Sequence, residues 1–332
     1  MTLPRKALGT SSAQASVLSL GSWHTWDRMP ADVAVPLLQD AVTAGVNLFD
    51  VGWYNFGPHV EDADTDILFG RLVRQAGLVR TDYLLAEKLW LWNWPAQPLV
   101  DQLRDALARV GTDHADLAVL GDYLTELDVP RVVTEAAGLV GDGLARGWAV
   151  NNWAADDLAA AICFAAAEGM PSPVLAQLKY NVCRRSIPEG APYRRLFAEC
   201  GLGLQPSDVL EGGILAGHAN PSRRIGADPG GIRDGIRDAA GRVATLAREF
   251  GVSPAQVAIA FVLTHPATTS VLVGVSRPEQ LLDNLAAVQF AAEHGDVLRE
   301  RLANLWLDRD LVEPTAAWAT GREESPPAPP TT

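Results

Sequence analysis

Three side chains with complementary chemistry lie close together in the first third of the chain. The stretch Val46–Gly57 reads Val-Asn-Leu-Phe-Asp-Val-Gly-Trp-Tyr-Asn-Phe-Gly, a short apolar run that ends in Asp50 and passes at once into aromatic and glycine-rich residues. A second stretch, Asp82–Leu91, reads Asp-Tyr-Leu-Leu-Ala-Glu-Lys-Leu-Trp-Leu and delivers Lys88. If both runs are buried parallel strands, each brings one charged group to the carboxyl end of a sheet, close to Tyr54. An ammonium beside a tyrosine hydroxyl lowers its pKa, and such a hydroxyl can exchange a proton with a polar substrate. The same residues also suit a buried Asp–Lys pair with an aromatic that only packs, and their types alone leave both readings open.

Positioning these groups requires a regular frame, and the chain supplies one. Two short runs within Arg5–Leu20, separated by Gly9-Thr10-Ser11-Ser12, predict an amino-terminal hairpin. Counting from Leu48, strand-like and helix-like segments alternate some eight times without a composition break that would mark a linker. Helices are predicted at Asp32–Ala44, Ala63–Ala76, Pro98–Val110, Val129–Ala145, Ala155–Ala167, Tyr193–Cys200, Ile232–Phe250, Ser253–Thr264 and Pro278–Phe290. Ser253-Pro254 is a strong start signal, a capping residue followed by proline at the first helical position. The alternation predicts a (β/α)8 barrel or a doubly wound sheet. In a barrel, Asp50, Lys88, Gly121, Asn151 and Gln177 would converge on one mouth. The frame is read as one domain over residues 1–320, and the proline-rich segment Gly321–Thr332 as a disordered tail.

Composition narrows the function. Apolar residues make up 48% of the 332 positions and the formal net charge is -13, which argues against non-specific binding to nucleic acid or an anionic membrane. The three cysteines, Cys163, Cys183 and Cys200, have neither disulfide nor zinc spacing and fit a reducing cytoplasm. The histidines have no ligand spacing, so metal is not implied. No leader-like segment and no run of eighteen apolar residues is read, so a cytoplasmic protein acting on a small molecule is expected, in an oligomeric state the sequence does not name. Ten tryptophans outnumber eight phenylalanines and five tyrosines, with Trp23 and Trp26, Trp53, and Trp90, Trp92 and Trp94 in three segments that could form an aromatic wall for a flat or sugar-like ligand.

From about Leu3 to Val288 the chain resembles the aldo-keto reductase superfamily, nearest the branch of potassium-channel β subunits, bacterial sugar-keto reductases and aldose dehydrogenases. The most specific match is Val273-Gly274-Val275-Ser276-Arg277-Pro278-Glu279-Gln280-Leu281-Leu282-Asp283-Asn284. In the family such a segment holds the adenosine end of the cofactor and its 2′-phosphate, which assigns Gly274, Ser276, Arg277, Gln280 and Asn284 to NADPH; a helix amino terminus with a hydroxyl and a guanidinium suits a dianion. The resemblance implies a single (β/α)8 TIM barrel with an amino-terminal β-hairpin. It places Asn151, where serine is usual, with Asn152 and Gln177 on the nicotinamide carboxamide. It puts Ser22 and Trp23 beside the cofactor, together with Ser207, Gly213 and Leu215 of the segment Gly201–Gly217. Asp208 falls where a serine normally approaches the pyrophosphate, and a carboxylate there would repel an anion unless it turned away.

The family's catalytic tetrad is Asp, Tyr, Lys and His. Asp50 and Lys88 match; the position five residues after the aspartate is Asn55, so a one-residue deletion would let Tyr54 serve as proton donor. The histidine position is Gly121, and the adjacent Asp122 is the candidate replacement. His24, Trp26, Trp53, Asn55, Trp90 and Gly121 complete the expected substrate pocket, with Trp23 shared. The resemblance thus implies an NADPH-dependent oxidoreductase that reduces a carbonyl, or a polarised C=C or C=N bond, of a small polyhydroxylated or sugar-like substrate. The alternative is a barrel that keeps the cofactor pocket but has lost ordinary carbonyl reduction and acts as a regulatory protein or on a non-redox reaction.

Overall fold

The computed structural model describes residues 3–9, 11–56, 59–60, 64–123, 125–218, 220–221 and 225–317, and the tail expected at 321–332 lies outside them. A hairpin of β1 (Arg5–Ala7) and β2 (Gln14–Ser16) opens the chain. Then follow β3 (Leu18–Gly21), α1 (Ala31–Thr43), β4 (Leu48–Val51), a small antiparallel pair β5 (Asn55–Phe56) and β6 (His59–Val60), α2 (Thr65–Gln75) and β7 (Leu84–Trp90). Next come α3 (Leu99–Val110), β8 (Leu117–Gly121), α4 (Val129–Gly141), β9 (Trp148–Asn151), α5 (Ala155–Ala167) and β10 (Leu175–Lys179). The last elements are α6 (Ala191–Cys200), β11 (Gly203–Ser207), α7 (Arg233–Phe250), α8 (Pro254–Leu263), β12 (Val271–Val273) and α9 (Pro278–Arg301).

Eight parallel strands pair in the order β11, β10, β9, β8, β7, β4, β3, β12. Backbone N–H groups of Leu204 and Thr269 donate to Ala267 and Leu204 (2.8 and 2.7 Å) and close β11 onto the approach to β12. The result is a (β/α)8 barrel with its helices outside. Because side chains alternate across a strand, Leu48 and Asp50 point inward while Phe49 and Val51 meet the helices. Leu8 and Ala15 of the hairpin pack on Leu48, Leu117, Ala149 and Leu175, so the hairpin plugs the amino-terminal end of the barrel. Above that apolar floor runs a polar layer: Gln177 Nε2 donates to Asp50 Oδ2 (2.7 Å) and Gln205 Oε1 (2.8 Å), and Gln205 Nε2 donates to Ser19 Oγ (3.1 Å).

The structure differs from the sequence reading in two places. Leu18–Leu20, read as part of the hairpin, forms with Gly21 the first barrel strand; it pairs with β4 and β12, and the barrel has seven strands from Leu48 onward, β4 included. The final helix runs past Phe290 to Arg301. Within that extension a Cβ added at Gly295 would lie 2.8 Å from Thr264 Cγ2, so the glycine serves a close approach of α9 to the end of α8. The predicted start of α8 is a capping box, with Gln256 N–H donating to Ser253 Oγ (3.1 Å) and Ser253 N–H to Gln256 Oε1 (3.2 Å). Among the described residues no single helix is long and apolar enough to cross a membrane.

Candidate active site

The carboxyl ends of the strands open into a cavity of about 450 Å³ that runs from Asp50, Tyr54, Lys88 and Asp122 to Ser276, Arg277 and Gln280. Successive strand ends carry Asp50 on β4, Lys88 on β7, Gly121 on β8, Asn151 on β9 and Gln177 on β10. Lys88 Nζ lies 3.2 Å from Asp50 Oδ1 and donates to the Tyr54 hydroxyl at 3.2 Å. Tyr54 therefore takes the position beside the lysine. The next residue, Asn55, enters the β5–β6 hairpin, and its side chain lies outside the described residues. Gly52 makes the short loop possible, because a Cβ there would stand 3.1 Å from Lys88 Cβ and 3.2 Å from the Tyr54 ring. The ring is stacked on Trp23 and meets Trp90 edge-on, with centroids 5.8 and 5.5 Å away.

The tyrosine pKa is not lowered as expected. Burial pushes the Tyr54 hydroxyl above its ordinary value, and Lys88 only partly offsets that because Asp50 already neutralises its ammonium. Burial also works against the Lys88 ammonium, yet Asp50 and Tyr54 outweigh it and hold the lysine charged. Tyr54 thus keeps its proton as a neutral phenol beside the charged Lys88 ammonium.

Gly121 owes its lack of a side chain to Trp90. A Cβ at Gly121 would be 3.0 Å from Cε3 and Cζ3 of the indole, which fills the place of a side chain there. Trp90 is fixed in turn by stacking on Trp92 (4.2 Å) and by donating from Nε1 to the Trp53 carbonyl (3.0 Å). Beside it Asp122 is 6% exposed, and its Oδ1 accepts from Asn151 Nδ2 (3.0 Å) and Asn152 Nδ2 (3.3 Å). Burial pushes this carboxyl up to about 7, with Lys88 drawing it down.

The other expected residues divide. Trp23, His24, Trp90, Asn151, Asn152, Gln177, Ser207, Gly213 and Gly274 line the cavity. Trp26 does not: its ring is buried in the core against Phe69 (6.2 Å). Trp53 is off the wall too, with the Arg109 guanidinium 4.2 Å from its ring, and what it contributes is the carbonyl that anchors Trp90. Ser22, Leu215 and Asn284 are buried behind the lining.

Features of this chain suit a bound dinucleotide. Asn152 Oδ1 and Ser22 Oγ are buried without a hydrogen-bond partner among the described residues, and Asn152 is held at φ 56° while its N–H donates to the Gln177 carbonyl (2.9 Å). Ser276 N–H and Oγ both donate to Gln280 Oε1 (2.8 and 3.2 Å) at the start of α9. Asp208 does not meet this cleft as a bare charge. Its carboxylate is 3.1 Å from the buried Lys179 Nζ, a partner that sequence reading missed because it lies on a different strand. Lys179 also donates to the Ala227 carbonyl (2.8 Å), and Glu211 nearby accepts from Arg184, Arg233 and Asn181. A buried ionic network therefore pins the glycine-rich segment at Gly212 and Gly213.

Sequence reading also passed over Glu87, on the outer face of β7 next to Lys88. It is fully buried, neither carboxyl oxygen has a hydrogen-bond partner among the described residues, and burial with Asp66 nearby raises its pKa well above 4.5. The neutral acid is tolerated, so the native state is penalised only as pH rises above about 4.5 toward the raised folded value. Glu87→Gln is expected to raise the melting temperature at pH 8 by about 2–4 °C, and by less at pH 5, in paired thermal melts. An equal shift at both pH values would refute a raised Glu87 pKa.

Comparison with known proteins agrees with this fold. The aldo/keto reductase family model matches residues 17–299. Proteins named "Probable voltage-gated potassium channel subunit beta" match from Oryza sativa subsp. japonica, 27% identical over 303 residues, and from Arabidopsis thaliana, 26% identical over 308 residues. Each match covers 85% of this chain and 90% of the relative. The crystal structure of a thermostable aldo-keto reductase in complex with the inhibitor epalrestat superposes with a TM-score of 0.70 at 21% identity, over 90% of this chain and 100% of that one.

Proposed function

The chain belongs to the aldo/keto reductase family, and on that premise we propose that it is an NADPH-dependent reductase of a carbonyl, or of an equivalent polarised double bond, in a small polyhydroxylated or sugar-like molecule. The observation that carries this reading is the meeting of Asp50, Lys88 and Tyr54 within 3.2 Å contacts at the wall of the cavity. The cofactor, when bound, supplies the hydride. Asn151, Asn152 and Gln177 would hold its carboxamide, and Gly213 with the loop after β11 its pyrophosphate. Ser276, Arg277 and Gln280 would hold its adenosine end. Tyr54 donates its proton to the carbonyl oxygen as negative charge develops there. Lys88 faces that oxygen with a fixed positive charge, and Asp50 keeps the ammonium in place.

A second reading, a cofactor-binding regulatory protein, is favoured by the names of the plant relatives and by Gly121, which offers no side chain to orient a carbonyl. Titrating the intrinsic tryptophan fluorescence with NADPH and NADH tests both. Tight, NADPH-selective binding followed by turnover in a screen of keto-sugars, enones and imines supports the reductase. Binding without turnover of any of them favours regulation, and no binding of either nucleotide sinks both. Arg277→Ala is expected to weaken NADPH by about tenfold and leave NADH nearly unchanged, since only the former carries the phosphate dianion.

A further inference from the structure

Asp122 has no place in the triad, yet among the described residues it is the one carboxyl on the cavity wall with no cation within 4 Å. Asp50 has Lys88 at 3.2 Å and Asp208 has Lys179 at 3.1 Å, and Lys88 is also engaged with Tyr54. Asp122, 6% exposed, has two amide donors and no cation within 4 Å among the described residues. Amide donors solvate a carboxylate but do not neutralise it, and a buried carboxylate without a counter-charge is costly. The wall beside it is aromatic: Trp90 lies over Gly121, and Tyr54 and Trp23 continue the surface. Ring faces with a buried carboxylate are the elements that bind an organic cation.

We propose that Asp122 forms a cation subsite, and that the substrate carries a basic amine whose ammonium pairs with this carboxylate while its carbonyl meets Tyr54. The proposal rests on the reductase reading and names its substrate class. The carbonyl carbon takes the hydride from NADPH, the carbonyl oxygen takes the Tyr54 proton, and the amine leaves unchanged. Asn151 and Asn152 donate to the carboxyl, and Trp90 and Trp23 line the same cavity beside it.

The titration of Asp122 provides a signature. Burial lifts it to about 7; the charges around it are Lys88, which lowers it, and Asp208, which raises it. Of the other charged or titratable groups at this end, Asp50, Lys179 and His24 pair with Lys88, Asp208 and Asp27, and Arg28, His218 and Arg277 also line the cavity. An ammonium binds the ionised form, so binding near pH 7 releases a proton and tightens by about tenfold from pH 6 to pH 8.

The test uses 4-(dimethylaminomethyl)benzaldehyde and its uncharged isostere 4-isobutylbenzaldehyde as substrates, with N,N-dimethylbenzylamine as an unreactive ligand in calorimetry. At pH 8 the charged aldehyde is expected to have about 10–100-fold higher kcat/KM than the isostere, and the preference to vanish in Asp122→Asn. Calorimetry of the wild type is expected to show the tenfold tightening between pH 6 and pH 8 and proton release at pH 7, both lost in Asp122→Asn. Equal or better turnover of the isostere, or amine binding that ignores pH, overturns the cation subsite while leaving the reductase standing. Failure of NADPH to bind, with pH-dependent amine binding intact, overturns the reductase and leaves the subsite.

Discussion

Tyr54→Phe is expected to lower kcat by about 10²–10⁴-fold, with the fold and the NADPH affinity unchanged. The substitution removes one hydroxyl and keeps the ring that stacks on Trp23 and meets Trp90. Lys88 keeps its contact with Asp50 at 3.2 Å, so no buried charge is left alone. Lys88→Met should reduce turnover comparably, but it also strands Asp50, which is 1% exposed, and should cost about 3–5 kcal/mol of stability as well. The pair of variants therefore separates chemistry from folding: single-turnover rates read the first and thermal melts the second. Full activity in Tyr54→Phe would mean that the proton comes from elsewhere, with Asp122 the next group to test.

The second large effect is expected at Glu211, which lies outside the chemistry. Its carboxylate is fully buried at φ 44° and accepts from Arg184 Nε and Nη2 (2.9 and 2.8 Å), Asn181 Nδ2 (3.1 Å) and Arg233 Nε (3.3 Å). With Lys179, Asp208 and Asp228 these groups form a network of three cations and three carboxylates. Glu211→Gln leaves the buried Arg184 with one carboxylate fewer. Breaking a buried pair from one side costs about 3–5 kcal/mol, which for a chain of this size is a fall of roughly 10 °C in melting temperature. NADPH affinity should fall with it, because Gly212 and Gly213 of the same turn line the cavity. A melting temperature within a degree or so of wild type would show that the network contributes little to stability.

Much of the frame could be read from residue order. Apolar runs alternating with helical periodicity predicted a barrel or a doubly wound sheet, the apolar runs that deliver Asp50 and Lys88 placed both at strand ends, and Ser253-Pro254 marked the start of α8. These are local properties, written in residues that are neighbours along the chain. The misreadings came where a local signal had a distant cause. The last helix was read as ending at Phe290, whereas it runs on to Arg301 through Gly295, whose close approach to Thr264 is a matter of packing between helices. Leu18–Leu20 looked like part of a hairpin because the partners of this strand, β4 and β12, are far along the chain.

The site follows the same division. The chain by itself determined which chemical groups reach the mouth of the barrel and matched them to a family. Tertiary structure decided that Tyr54 contacts Lys88, that the indole of Trp90 fills the place of a side chain at Gly121, and that Trp26 belongs to the core rather than the wall. It also decided that Asp208 has a lysine while Asp122, among the described residues, is bonded by amides. Strand periodicity fixes the face on which a side chain emerges, but the partner it meets there depends on closure of the barrel, which brings together residues from strands that share no local pattern.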